Sequence, residues 1–211
     1  MRLLGVTWVI ISMKILYGFA LDAHHWGWFD ALPDAGLGLG VVLLGLVGLN
    51  VGLAQRHDDD AIAAQATLIL LLVGSAAGGL YGELGVVVMI AFGTLVLHGM
   101  ALLRGTGNLA SLGIAASYLW VGVHALSNDW MVLGLHLVPL EDDLLTFLLM
   151  AAITGMNAVM ATRFAHHDNW FSAGLHAVGV GRPGLWAVSV GLGMVGATLS
   201  VAANRAEVGY A

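Results

Sequence analysis

LGVVVMIAFGTLVLHGMALL, residues 84–103, holds twenty positions without a charged side chain and one titratable group, His98. At 1.5 Å per residue such a helix is about 30 Å long, the hydrocarbon thickness of a bilayer. The rest of the chain has the same character. Of its 211 residues, 59% are hydrophobic and 9% charged, with a mean hydropathy of +0.91. A soluble globule needs roughly a quarter of its residues charged, so this composition predicts a protein embedded in lipid. Apolar runs of spanning length fall at 3–21, 36–54, 62–80, 84–103, 109–127, 143–162 and 184–203. The expected fold is all-α and integral to the membrane. It is a single polytopic domain over 1–211, a bundle of seven transmembrane helices, with six as the alternative.

Basic residues favour the cytoplasmic side of a membrane, and this sets a topology. Threaded through seven spans, Arg2, Arg56, Arg104, Arg163 and Arg182 fall on one side and Arg205 on the other. The pattern predicts an inner (plasma) membrane protein with a cytoplasmic N-terminus and an external C-terminus. Six spans break the arginine alternation. The sequence also repeats itself: GLNVGLAQR at 48–56 and GMNAVMATR at 155–163 share Gly, Asn, Ala and Arg at the same places. A parallel internal repeat follows from this spacing, with halves 1–80 and 109–203 joined by the helix at 84–103, a three plus one plus three arrangement. Glycines at small-residue spacing, such as Gly45, Gly48 and Gly52, Gly74 and Gly78, and Gly191, Gly193 and Gly196, predict close helix packing.

The candidate functional residues are the polar groups that a membrane span holds only at a free-energy cost. Lys14 lies about 18 Å along the first run from Arg2, too deep to reach the inner surface easily. Asn50 and Asn157 occupy the matching positions of the repeat, each six residues before an arginine. His98 and His124 lie within spans but toward opposite ends, so a bis-histidine haem would need a loop ligand. With no cysteine in the chain, metal chemistry falls to histidine and carboxylate. His24, His25, His124 and His136 with Asp22 or Asp129 make a donor set suited to a divalent metal, if the loops after spans one and five meet. Trp26, Trp28 and Phe29 between those loops and the first span read as an interfacial aromatic belt. Two connections, 163–181 and 129–143, read as short helices at the interface, the first with Phe164, Phe171, Leu175 and Val178 on one face.

Several chemistries are excluded or disfavoured. Neither a dinucleotide fingerprint nor a Gly-Lys-Ser/Thr phosphate loop occurs. Seven basic against thirteen acidic residues give a net charge of −6, which excludes nucleic acid as a partner. GSAAGG at 74–79 carries a serine, but no base is expected at its depth, so Ser75 is assigned to packing and enzymatic activity is not expected. The sequence points to a permease or channel for a small polar solute or ion, its path lined by Lys14, Asn50, His98, His124 and Asn157. The alternative is a metal-, haem- or pigment-associated, or purely structural, subunit of a larger membrane assembly such as a respiratory one. Expected partners are the lipid bilayer and either further copies of the chain or other membrane subunits.

Overall fold

The computed structural model describes residues 11–12, 15–16, 18–20, 22–23, 26–28, 35–57, 60–78, 82–127, 130–132 and 135–207. Their backbone forms α1 (Ala35–His57), α2 (Asp60–Gly78), α3 (Gly82–Arg104), α4 (Gly107–Leu126), α5 (Asp143–Arg163), α6 (Trp170–Ala177) and α7 (Leu185–Glu207). Among the described residues α3, α4 and α5 are long and apolar enough to cross a membrane, and the apolar stretches Asp60–Leu72 and Leu185–Thr198 are shorter. The runs expected from 36 onward each coincide with a long helix. That at 3–21 lies mostly outside the described residues, as does Lys14 within it. Trp26 and Trp28 are exposed and cluster with Phe19, edge to face at 6.0 and 5.5 Å, while Phe29 lies outside the described residues.

α4 is the central helix, packing against α2, α3, α5, α6 and α7, while α1 lies on α2. Apolar side chains serve both inside and outside. Val86 and Ile90 of α3 meet Leu109, Ile114 and Val121 of α4 and Leu149 and Ile153 of α5, while Leu97 of α3 packs with Leu71 of α2 and Ala116 of α4, all buried. On the outer faces Leu95, Leu103, Leu119, Phe147, Val159 and Met194 are more than half exposed. Such a surface is favourable against acyl chains. Lipid gives buried apolar side chains no advantage over exposed ones, so close fit and interhelical hydrogen bonds hold the bundle instead.

The glycines supply part of that fit. A Cβ at Gly93 would lie 2.7 Å from Leu71 Cδ2, one at Gly74 3.0 Å from Met89 Cε, and one at Gly193 3.1 Å from the Tyr118 hydroxyl. α2 therefore nests on α3, and α7 on α4. Gly45, Gly48, Gly52 and Gly191 face open space. For these four the close packing expected from their spacing does not occur among the described residues, because α1 turns Gly45, Gly48 and Gly52 outward and α7 does the same with Gly191.

The connections fix the ends. Gly105 adopts φ +64°, which a glycine tolerates without strain, and the Thr106 amide closes the turn on Ala101 O at 3.3 Å. Beside that turn Arg104 Nε lies 2.9 Å from Asp60 Oδ1, pinning the start of α2 to the end of α3. At the other end the Asp142 carboxylate caps α5 by accepting from the Leu144 and Leu145 amides. The Asp142 amide in turn donates to the Glu83 carboxylate at 2.9 and 3.1 Å.

Both expected interfacial helices need correction. In 163–181 the helix is confined to Trp170–Ala177, started by the Asn169 side chain on the Ser172 amide and followed by Gly179 and Gly181 at φ +83° and +93°. Phe164 instead ends α5 and is buried, so it shares no face with Leu175. In 129–143 the described residues ahead of Asp143, where α5 begins, are not helical. Met131–Val132 pairs antiparallel with Leu135–His136, and the chain continues without regular secondary structure through Pro139. Valine favours extended backbone, and a proline restricts the residue before it to extended backbone too.

Candidate functional site

Spacings of four, three and four along α4 put Gly113, Ser117, Trp120 and His124 on one stripe of the helix. The stripe faces the interior, and two polar clusters are built on it.

The first lies toward the end marked by Arg104 and Arg163. His98 and Asn157 each precede one of these arginines by six residues, about 9 Å of helix. The imidazole Nε2 of His98 is 2.7 Å from Asn157 Oδ1. The Asn157 amide nitrogen donates to Ser117 Oγ at 3.0 Å, and Ser117 reaches Ile114 O at 3.1 Å. An amide oxygen only accepts, so Nε2 carries the hydrogen and Nδ1 of neutral His98 presents a lone pair. That Nδ1 is buried without a partner among the described residues. It lies over Gly113, where a Cβ would come within 2.8 Å of the ring. Three helices thus meet in one hydrogen-bonded set, with His98 3% exposed and Ser117 and Asn157 fully buried.

The second cluster occupies the opposite end. His124 Nδ1 is 2.8 Å from Val138 O, and its Nε2 is 3.1 Å from Ser75 Oγ. Trp120 donates its indole N–H to the same Oγ at 2.8 Å and lies edge to face with the imidazole at 5.8 Å. The expectation that Ser75 merely packs, with no base at its depth, is overturned. α2 and α4 run antiparallel to α3, so Ser75 near the end of one and His124 near the end of the other arrive at the same level.

Asn50, buried on α1, donates to Gln65 Oε1 on α2 at 3.2 Å, leaving Asn50 Oδ1 and Gln65 Nε2 without partners. The two asparagines at matching sequence positions thus both bridge helices, with different partners. Of the other expected site residues, Lys14, His24, His25 and Asp129 lie outside the described residues. Asp22 is exposed, and His136 belongs to the short ladder. Both ring nitrogens of His124 are hydrogen-bonded within the protein, and among the described residues no group of three or more metal-binding side chains gathers. The two span histidines do not face each other: eleven residues of α4, about 16 Å, separate Gly113, beneath His98, from His124. They cannot clasp one haem between them.

Gln65, Ser117 and Trp120 were not singled out from the sequence, although the four-three-four spacing of the α4 stripe was there to find. Two cavities lie elsewhere. A groove of about 540 Å³ between α4, α5 and α7 is walled by Tyr118, Phe147, Met150 and Trp186. One of about 360 Å³ beside α6 is lined by His166, His167, Asp168 and Arg182. Comparison with family models, curated proteins and solved structures gives no match. The class defined by fold and site is a helical protein with three helices long and apolar enough to cross a membrane and a hydrogen-bonded polar interior.

Proposed function

We propose that the protein is a polytopic carrier or channel for a small polar solute or an ion, with His98 taking up and releasing a proton during the cycle. In this reading the chain crosses the inner membrane seven times from a cytoplasmic N-terminus. Asn50, His98 and Asn157 line the path between the two halves, with Lys14 on the first span and His124 near the far end. The observation that supports it most is the His98–Asn157–Ser117 set. It joins three helices inside the bundle and keeps one imidazole nitrogen as a free acceptor. Ionisable groups inside a membrane bundle are expensive to retain and mark conduction and proton-relay sites. Imidazole is the side chain whose charge changes most readily near neutral pH.

The test is flux. Purified protein is reconstituted into liposomes holding a pH-sensitive dye, and an acid step is applied outside. The expected result is internal acidification faster than in empty vesicles, slowed at least tenfold in His98→Leu and Asn157→Leu. A wild-type rate equal to that of empty vesicles, or unchanged rates in both variants, overturns the reading.

A further inference from the structure

The cluster at the other end of the bundle has the geometry of an activated nucleophile. Val138 O can only accept, so the 2.8 Å contact places the imidazole hydrogen of neutral His124 on Nδ1. Nε2 then turns its lone pair to Ser75 Oγ at 3.1 Å. This is the tautomer a general base needs. The Ser75 hydroxyl has a second acceptor within reach, Leu72 O, but at the longer distance of 3.3 Å. Because Trp120 donates to Oγ at 2.8 Å, the serine's own hydrogen is left for an acceptor.

The carbonyl that orients His124 is itself held in place. The Leu140 amide donates to His124 O at 3.2 Å, and Ser127 Oγ bridges His124 O and Leu137 O at 2.9 and 3.3 Å. Residues 137–140 are thereby fastened to the end of α4 on both sides of Val138. Base, orienting carbonyl and nucleophile form one linked unit.

Depth and sequence indicate the substrate. Ser75 is three residues from the end of α2 and His124 two from the end of α4, so both lie about 3–5 Å inside the helix ends. Where those ends meet the bilayer surface, this is the boundary between hydrocarbon and headgroup, where membrane amphiphiles carry their acyl linkages. In the sequence small residues flank the serine, from Gly74 to Gly79, while in the fold Ser75 and His124 are fully buried with the Trp120 indole against Oγ, so an ester carbonyl reaches the serine only when that ring swings aside.

We propose that Ser75 and His124 form a nucleophile–base pair that hydrolyses a carboxylic ester of a membrane amphiphile. Ser75 Oγ bonds to the ester carbonyl carbon while its proton passes to His124 Nε2. The carbon–oxygen bond to the alcohol breaks, and the leaving alkoxide takes that proton. Water then attacks the acyl-serine, His124 again accepting a proton and returning it to Oγ as the Oγ–carbon bond breaks. One ester and one water give one carboxylic acid and one alcohol. This activity goes beyond the carrier reading; it shares His124 with that path but does not use His98, Asn50 or Asn157, so label at Ser75 and flux through His98 and Asn157 can each fail alone.

The experiment treats the full-length protein, in micelles, with a fluorophosphonate carrying a fluorescent tag, and follows hydrolysis of p-nitrophenyl octanoate in parallel. The expected result is one labelled peptide, modified at Ser75, with label and hydrolysis both absent in Ser75→Ala. His124→Gln should slow labelling about 100-fold, as loss of a general base does. Because a substitution at either position can disturb the fold, the wild-type protein alone is also decisive. Folded, monodisperse wild type that takes no label at Ser75 overturns the proposal. So does a His124→Gln protein of unchanged elution profile that labels at the wild-type rate.

Discussion

Replacing Gly113 by alanine adds one methyl group against the imidazole of His98. The new Cβ would stand 2.8 Å from both Cε1 and Nδ1, whereas carbon contacts are favourable near 3.5–4.0 Å. The ring must therefore shift by about 0.7 Å or more, which displaces it from the 2.7 Å bond between Nε2 and Asn157 Oδ1. Overpacking of this kind costs about 1–3 kcal/mol, and loss of an interhelical hydrogen bond in a membrane bundle adds about 0.6–1.7 kcal/mol. Against this, alanine is the better helix former by about 0.8–1.0 kcal/mol. The opposing term is the smaller, so the expected net effect is destabilisation by about 1–3 kcal/mol. Gly155→Ala supplies the contrast: that residue lies within a helix with nothing within 4 Å of its Cβ, so only the propensity gain remains. Thermal unfolding in one detergent should place Gly113→Ala below wild type and Gly155→Ala at or above it. Combining Gly113→Ala with His98→Ala removes the clash, and the alanine at 113 should become neutral or stabilising in that background. If Gly113→Ala melts at or above wild type, or stays equally harmful without the imidazole, the packing of His98 over Gly113 is refuted.

Three further outcomes follow from the same geometry. Arg104→Gln removes the charge that meets Asp60 at 2.9 Å with both side chains largely buried. It should destabilise by about 1.5–3 kcal/mol, the range for hydrogen bonds to charged groups, and an unchanged melting temperature would contradict this. Asp142→Ala strips the two amides at the start of α5 of their acceptor and should lose about 1 kcal/mol, most of it recovered in Asp142→Ser; equal loss in both variants would show that capping is not the cause. Asn50→Leu alone leaves the Gln65 amide buried without its partner, whereas Asn50→Leu with Gln65→Met removes the whole polar pair. The double variant should melt at or above the single one and show reduced flux in the liposome assay; wild-type flux would take Asn50 out of the path.

The spans were legible because bilayer thickness dictates their length, and a run such as 84–103 has no other use. Helix ends were legible where charge or capping marked them, as at Arg104 and Arg163. The polar interior was legible residue by residue but not pair by pair. His98 and Asn157 stand out because they are costly in lipid, yet nothing in their separation of 59 positions says that they touch. Ser75 was misjudged because depth was assessed from one helix at a time. The hydrogen bond to His124 depends on how antiparallel helices are registered, and that register is fixed by Leu71 against Gly93 and Met89 against Gly74. The segment at 129–143 was misread because its apolar content suits an interfacial helix as well as a ladder. Local preferences at Val132 and Pro139 decided between them.

At the start of α4, Gly107 meets the chain where it leaves α5: a Cβ there would fall 2.5 Å from Asp168 O and 2.7 Å from His167 Cβ. Backbone thus abuts backbone at the foot of the central helix. The contact is an end stop, and α4 cannot slide lengthwise toward it. A rigid-body displacement of α4 toward that contact is thereby limited to a tilt or twist about its Gly107 end, a pivot rather than a piston. Under that motion His124, near the free end, sweeps through a much wider arc than Gly113 beneath His98.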